Sequence, residues 1–500
     1  MGDWDPLLRA AHEEAERFLA ATRRPRETQL DLLQRLLVAN RDTEFGDEHA
    51  FAGIDGIDAY RRNVPIRDYE GFRERIDRTA GGASSVLTAE PVAAFEITGG
   101  TSSGAKRIPV TARQIAAFRS AVLPWLARLA ERRPEAVAGR VYATISPATR
   151  AEQTTAGGIP IGVPDAAYFG ADLAGPFARL LAVPAETGAI EDVDAWRLAT
   201  LQALVAAHDL SFVSLWSPTF LAALLEQVRP NAEAILRGLE AESRGRLERA
   251  LRGPKVDTAQ LWPRLDTISC WTDGPSRAYA AALAETFPHA AIDAKGVLAT
   301  EGAVTIPWGR AGECVPALTS CFIEYVSESG EALLTDELAT GRTYRVVLTT
   351  EAGLYRYDLG DVLECCGWRG EVPLLRFVGR AGLASDLVGE KLTDAFVSQA
   401  MAGLLTRAAV ALWPAPAGYV LLIDGPDEPA AVLDQVEERL CRNPQYRFAR
   451  KMGQLAPLRA EICPGLTTRL MDLRVKGGGR MGDAKPTSLL TGVPLEELTR

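Results

Sequence analysis

Five short stretches of this chain combine residue types that could handle a phosphorylated ligand. The first is Thr98-Gly99-Gly100-Thr101-Ser102-Ser103-Gly104-Ala105-Lys106. Its glycines let the backbone approach an anion, its hydroxyls can donate to phosphate oxygens, and its lysine adds a point charge. The Walker spacing GxxxxGK[ST] is absent and Ile-Pro-Val-Thr follows, so a strand–loop–strand hairpin is expected. The second is GVLATEG at 296–302, read as an apolar strand ending at Thr300-Glu301. A carboxylate at that edge of an open α/β sheet could hold Mg²⁺. The third, YRYDLGDV at 355–362, sets Asp361 after a glycine between two strand-like runs. A carboxylate there can accept two hydrogen bonds from a ribose diol. The fourth is Phe377-Val378-Gly379-Arg380, with Lys391 twelve residues past Gly379. The fifth is Lys485 in a Gly-rich tail, where an ammonium could be delivered to a reacting carboxylate or phosphate. Four of the five also have a plain reading: a turn, a solvated glutamate, a hairpin Asp-Gly turn, a tail lysine.

The charge inventory sharpens one of these readings. Positive charge is carried by 48 arginines and only seven lysines: Lys106, Lys255, Lys295, Lys391, Lys451, Lys476 and Lys485. A lysine kept against that bias marks a place where a compact ammonium counts. The 500 residues carry 65 Asp and Glu against 55 Lys and Arg, a net −10. No global basic field exists for nucleic acid or anionic lipid, so neither partner is expected. Hydrophobic residues at 47% and charged residues at 24% exclude disordered, fibrous and disulfide-scaffold classes. Length suggests about three domain-sized units. The N-terminus has no basic region leading into an apolar core, so no secretory signal is expected. The apolar run 408–423 is short and holds Pro414 and Pro416, so no membrane span is expected. These features point to a soluble cytoplasmic protein. Seven cysteines without a CxxC pair and four scattered histidines argue against zinc and for buried free thiols.

The elements that must position these residues follow from periodicity. Residues 6–40 read as helical. AAFEIT (93–98) is a strand candidate ahead of the first loop, and Thr111 with Gln114 predicts a helix starting at Ala112, kinked or ended by Pro124. From 140 to 350, strand runs (VYATIS, FVSLW, DTISCW, AIDAKGVLAT, FIEYV, TYRVVLTT) alternate with helices at 195–208, 218–228, 231–251 and 276–286. That pattern predicts α/β layers with much parallel pairing. Residues 343–378 read as an antiparallel meander. A small α+β unit begins near Gly379, with helix 393–408, strand 418–423, helix 428–441, strand 457–463 and helix 465–473.

The five stretches occur in an order that resembles the AMP-forming adenylating superfamily. More finely, the chain resembles the acyl-acid amido synthetases of the Gretchen Hagen family, the auxin- and jasmonate-conjugating enzymes and their bacterial relatives. The resemblance rests on residues 39–78, on VLTAEPVAAFEITGGTSSGAKRIPVT (86–111), WPRLDTISCWTDG (262–274), GVLATEG and LYRYDLGDVLEC (354–365). It spans nearly the whole chain and is loosest after 395. Gly99 and Gly100 replace the family's usual Ser, Val297 or Leu298 and Thr300 replace its Tyr and Ser, and no Gln stands near Lys485.

The resemblance implies a large N-terminal ATP- and acyl-binding domain, 1–379. It implies a small mobile C-terminal α+β domain, 380–500, rotating about a hinge near 380–385. It implies adenylation of a carboxylic acid, then transfer to an amine, most often of an amino acid. Thr101, Ser102, Ser103, Gly104 and Lys106 would hold phosphates, and Glu301 would fix Mg²⁺. Thr300 would touch the α-phosphate or the incoming carboxylate, and Asp361 would anchor the ribose. Val297, Phe377, Arg380 and Lys391 would complete the ATP site, and Lys485 would bridge carboxylate and α-phosphate. Phe118, Trp125, Trp216 and Phe220 are candidates for an apolar acyl slot, or are core aromatics, and Arg128 is an alternative carboxylate anchor. A monomer or weak homodimer is expected. The rival readings are a ligase forming a thioester with coenzyme A or a carrier, and a non-catalytic nucleotide-binding homologue.

Overall fold

The computed structural model describes residues 3–98, 106–143, 154–310, 312–382, 390–404, 409–415, 417–425, 429–451, 454–476 and 486–499, with Ala384, Ser385, Leu387 and Val388. The N-terminal periodicity becomes two helices, Asp5–Thr22 and Pro25–Ala39, each opened by a proline in its first turn. Strands Ala94–Thr98 and Lys106–Val110 pair antiparallel with Thr98 opposite Lys106, which is the expected hairpin. Its loop, with Thr101, Ser102, Ser103 and Gly104, lies outside the described residues.

The helix Ala112–Arg132 starts as its capping residues dictate, with Thr111 Oγ1 accepting from Gln114 N at 3.0 Å. Pro124 does not end it. Proline removes the donor that the Ser120 carbonyl needs. Thr319 Oγ1 donates to that carbonyl at 3.2 Å, and Ser120 Oγ donates to the Thr319 carbonyl at 3.0 Å. A neighbouring loop thus supplies the missing partner.

A four-stranded parallel sheet runs Arg140–Ala143, Leu210–Ser214, Thr267–Cys270, Ala291–Ala294 in sequence order. Helices Val193–Ala206, Pro218–Glu226 and Arg277–Thr286 lie in its crossovers. The segment expected as one helix, 231–251, splits into Ala232–Arg237 and Ala241–Ala250. Gly238 stands at the break, as its poor helix propensity suggests.

The strand run FIEYV, grouped with the parallel layers, belongs elsewhere, while 343–378 is antiparallel as expected. Phe322–Val326 and Thr343–Thr349 join Ala332–Leu333, Tyr357–Arg369 and Val372–Arg380 in a five-stranded antiparallel sheet. The link from Val326 to Ala332 is too short for a parallel crossover, which needs a dozen residues or more. The strand through 291–300 is also shorter than expected. It stops at Ala294, because Gly296 turns the chain at φ +74, where a Cβ would lie 2.3 Å from the Thr305 carbonyl oxygen. Residues 297–303 then fold back, with Leu298 bridged to Ala303. Glu301 therefore sits on a tight hairpin tip, not at a strand end.

Beyond Gly379 the chain builds a smaller three-stranded sheet, Ala409–Ala415, Gly418–Asp424 and Arg459–Ile462. Helices Asp394–Met401, Pro429–Leu440, Pro444–Lys451, Leu466–Lys476 and Leu495–Thr499 accompany it. Strand Ala409–Ala415 was not expected: the apolar run 408–423 folds as a hairpin, with Pro414 on an edge strand. Two apolar clusters of this unit's own hold it together, around Leu412, Leu421 and Val436, and around Val420, Leu422 and Leu466. Met471 reaches out of it into the core beside the parallel sheet. All seven cysteines are free, five of them buried. Among the described residues no helix is long and apolar enough to cross a membrane.

Candidate active site

A cleft opens where the parallel sheet, the antiparallel sheet and the C-terminal unit meet. Its walls come from 271–273, Pro275, Ser276, 296–298, Asp361, Phe377 and Arg380, and from Asp394, Pro486 and Thr487 of the C-terminal unit. Strand register sets two of these groups together, because Asp361 on Tyr357–Arg369 stands opposite Arg380 on Val372–Arg380. Asp361 is 1% exposed. Arg380 Nε lies 3.0 Å from Asp361 Oδ1, yet the approach is too oblique for a hydrogen bond, and Oδ1 accepts none among the described residues. Arg380 also donates to the Leu359 carbonyl at 2.9 Å. Burial opposes its charge, but Asp361, Glu301 and Tyr357 outweigh that and raise its pKa.

Phe377 and Val297 face the same space. Gly274, at φ +54, lets the turn before Pro275 press on Phe377: a Cβ there would lie 3.0 Å from the ring. Asp273 in that turn is pushed above the usual carboxylate range by burial. Glu301 is buried, and its Oε1 accepts from the Tyr357 hydroxyl at 3.1 Å. Its carbonyl accepts from Gln114 Nε2 at 3.1 Å, which ties the hairpin tip to the long helix. Thr300 beside it is exposed. Lys106 leaves its strand with Nζ 5.4 Å from the Tyr69 ring centroid. Lys391 is exposed at φ +47 and does not line the cleft.

Lys485 lies outside the described residues, but the segment that follows it does not. Asp394 Oδ1 accepts from Ser488 N at 2.7 Å and from Leu489 N at 2.9 Å. Leu412 N donates to the Ser488 carbonyl at 2.7 Å, and Leu490 N to the Leu412 carbonyl at 2.9 Å. The chain just after Lys485 is thereby pinned at the mouth of the cleft. Asp394 had no signal in the sequence, since its partners are more than ninety residues away.

The acyl-slot candidates separate. Trp125 and Trp216 flank the buried Lys295, whose Nζ lies 4.9 and 5.1 Å from their ring centroids. Phe118 packs on Tyr168 with centroids 5.0 Å apart. Phe220 is a core residue with no exposed surface, packed on Trp196. Arg128 pairs with Glu131 at 2.6 Å and covers Trp308 at 4.3 Å, beside a different cavity. Neither Phe220 nor Arg128 joins the tryptophan pair. Lys295 was visible in the sequence only as one of seven lysines.

Comparison with known proteins bears on the whole chain. Family models described as the GH3 family N-terminal domain and the GH3 family central domain match residues 14–253 and 314–380. The probable indole-3-acetic acid-amido synthetase GH3.1 of Oryza sativa subsp. japonica is 24% identical, over 98% of this chain and 91% of its own length. Indole-3-acetic acid-amido synthetase GH3.8 of Oryza sativa subsp. indica is 32% identical over 34% of this chain and 32% of its own. The solved structure of AtGH3.15 acyl acid amido synthetase in complex with 2,4-DB has the same fold, with a TM-score of 0.85 at 18% identity. That likeness covers 100% of this chain and 96% of the other. A 2-hydroxyisobutyryl-CoA ligase in the postadenylation state has a TM-score of 0.52 at 11% identity, over 87% of this chain and 85% of its own. With both family domains matched in order and the fold shared from end to end, this chain belongs to the GH3 family of acyl-acid amido synthetases.

Proposed function

We propose that this protein is an AMP-forming ligase that joins a carboxylic acid to the amine of an amino acid. ATP and the acid give an acyl-adenylate and pyrophosphate. The amine then attacks the acyl carbonyl and expels AMP. The observation that carries this reading is Asp361: a buried carboxylate with an oxygen lacking an aligned donor among the described residues, in a cleft also lined by the segment just past Lys485. A ribose diol supplies the donors that Asp361 lacks.

The other roles follow from position. Phe377 and Val297 offer apolar surface to the adenine. The loop carrying Thr101, Ser102, Ser103 and Gly104, with Lys106 at its end, holds the phosphates through N–H groups and hydroxyls. Thr300, exposed beside Glu301, faces the α-phosphate or the incoming carboxylate. Lys485 places its ammonium between the two and stabilises the charge that develops there. Lys391, which is exposed and not in the cleft wall, acts on the nucleotide only after movement of the C-terminal unit. That unit, from residue 380 onward, turns about a hinge near 380–385 between the two half-reactions.

Among the described residues no cluster of three or more His, Cys, Asp or Glu could hold a metal by itself. Nucleotide-bound Mg²⁺ needs only one or two carboxylates beside phosphate oxygens. Glu301, oriented through one oxygen by Tyr357, fits that demand. When bound, the ion neutralises phosphate charge.

The test is ATP–pyrophosphate exchange over aryl, indole and fatty acids, with wild type and Lys485→Ala side by side. Acid-dependent exchange that falls roughly 100- to 1000-fold in the variant is expected. Adding amino acids or coenzyme A to the active acid then separates amide from thioester product. ATP binding without exchange for any acid would overturn the reading in favour of a nucleotide-binding homologue.

A further inference from the structure

The parallel sheet ends in a polar row that the nucleotide cleft does not use. Ser214, Ser269 and Asp293 stand opposite one another on adjacent strands. Lys295 follows Asp293 by two residues, at the edge where open α/β sheets receive ligands. Lys295 is 4% exposed, and its Nζ donates to Ser214 Oγ at 2.7 Å. The indoles of Trp125 and Trp216 face the ammonium. No ion pair satisfies it among the described residues. Asp293, on the same edge, is held by Arg132 at 3.0 Å and by Trp125 Nε1 at 3.4 Å. Ser269 is fully buried, and its Oγ has no hydrogen-bond partner among the described residues.

A cation withdrawn from water, with Asp293 near but no direct ion pair among the described residues, and beside an idle hydroxyl, is an incomplete set of partners. Burial pulls the Lys295 pKa down to about 8, which reflects that incompleteness. The group adjoins the cleft wall. Gly296, its neighbour, lines the cleft, as does Trp271, whose ring lies 6.1 Å from that of Trp216. An aromatic wall therefore runs from the nucleotide space to the ammonium. Indole faces suit a flat ring, and a compact ammonium with rotatable donors suits an acceptor oxygen at the end of that ring.

We propose that Lys295, with Ser214 and Ser269, forms the far end of the acyl slot. It receives an acceptor oxygen (hydroxyl, carbonyl or second carboxylate) carried by an aromatic acid at the end remote from its reacting carboxylate. This rests on the adenylation reading above and narrows its substrate class.

The experiment uses matched acids with and without the remote oxygen, such as 4-hydroxyphenylacetate against phenylacetate and terephthalate against benzoate. Pyrophosphate exchange and quenching of tryptophan fluorescence are followed in wild type, Lys295→Met and Ser214→Ala. Wild type should favour the oxygen-bearing member of at least one pair by at least about 10-fold in kcat/KM, since a buried polar group penalises a ligand that leaves it unpaired. Lys295→Met should bring that ratio close to one with KM for ATP unmoved, and Ser214→Ala should lower it part of the way. A preference that survives Lys295→Met, or a wild type that prefers the plain acids, overturns the proposal. If Lys295→Met does not fold, Lys295→Gln keeps a neutral donor in the same space and must lower the ratio part of the way. Selective quenching without exchange would sink the adenylation reading and leave the Lys295 preference standing. Exchange without preference would sink only the Lys295 assignment.

Discussion

Asp361 is almost wholly withdrawn from water, and Arg380 meets it at an angle that leaves an oxygen unsatisfied among the described residues. A nucleotide ribose removes that deficit, so the group should be felt in nucleotide affinity above all. Hydrogen bonds to a charged acceptor contribute about 1.5–3 kcal/mol. Asp361→Asn should therefore raise KM for ATP roughly 10- to 100-fold, with a smaller effect on kcat. The control is 2′,3′-dideoxy-ATP: wild type should discriminate strongly against it, and the variant should not. Equal discrimination by both would remove Asp361 from the ribose site. The residue was legible in sequence because an acid after a glycine between strand runs is a recognisable type. Its burial was not, since Arg380 reaches it only through strand register. Lys295 shows the opposite limit. Composition singled it out among seven lysines, but only the fold brings Trp125 and Trp216 to its two sides.

Local elements were legible wherever their cause is local. Thr111 and Gln114 fix the start of the long helix because the cap bond spans three residues. Pro124 misleads for the complementary reason: the hydroxyl that rescues the broken ladder comes from Thr319, far along the chain. Strand 322–326 was misassigned to the parallel layers because buried strands of either kind read as continuous apolar runs. The tail clamp is of the same long-range kind. Asp394 opens a helix of the C-terminal unit and accepts from two backbone N–H groups that lie three and four residues past Lys485. Asp394→Ala leaves both donors without that acceptor and frees the tail. Adenylation, read by pyrophosphate exchange, should fall at least about 10-fold, because a catalytic group loses its effective concentration when its anchor goes. Amide formation from supplied acyl-adenylate should change much less. An equal loss in both half-reactions would make Asp394 a general stability residue instead.

At the scale of the molecule, the cleft exists because the C-terminal unit is docked, and two contacts describe that docking. Met471 is buried in the core beside the parallel sheet, where Thr219 Oγ1 lies 3.6 Å from its sulfur. Gly379, near the end of the antiparallel meander, lies against the first turn of helix Asp394–Met401, so closely that a Cβ would fall 2.5 Å from Ala395 Cα. The neighbouring atom is backbone and cannot swing aside, so Gly379→Ala acts as a wedge between the two units. The wedge reaches neither the core of the main body nor the clusters inside the C-terminal unit, so both should stay folded. In the docked arrangement Pro486 and Thr487 face the nucleotide space, which is the geometry adenylation requires on our reading. Gly379→Ala should therefore enlarge the radius of gyration in small-angle X-ray scattering and depress pyrophosphate exchange. It should leave aminolysis of supplied acyl-adenylate near the wild-type rate, since that step follows departure of the tail. A variant with unchanged scattering and unchanged exchange would show that the helix Asp394–Met401 can slide along the meander without cost. The division of labour between the two units would then have to rest on other contacts, Met471 in the core beside the parallel sheet among them.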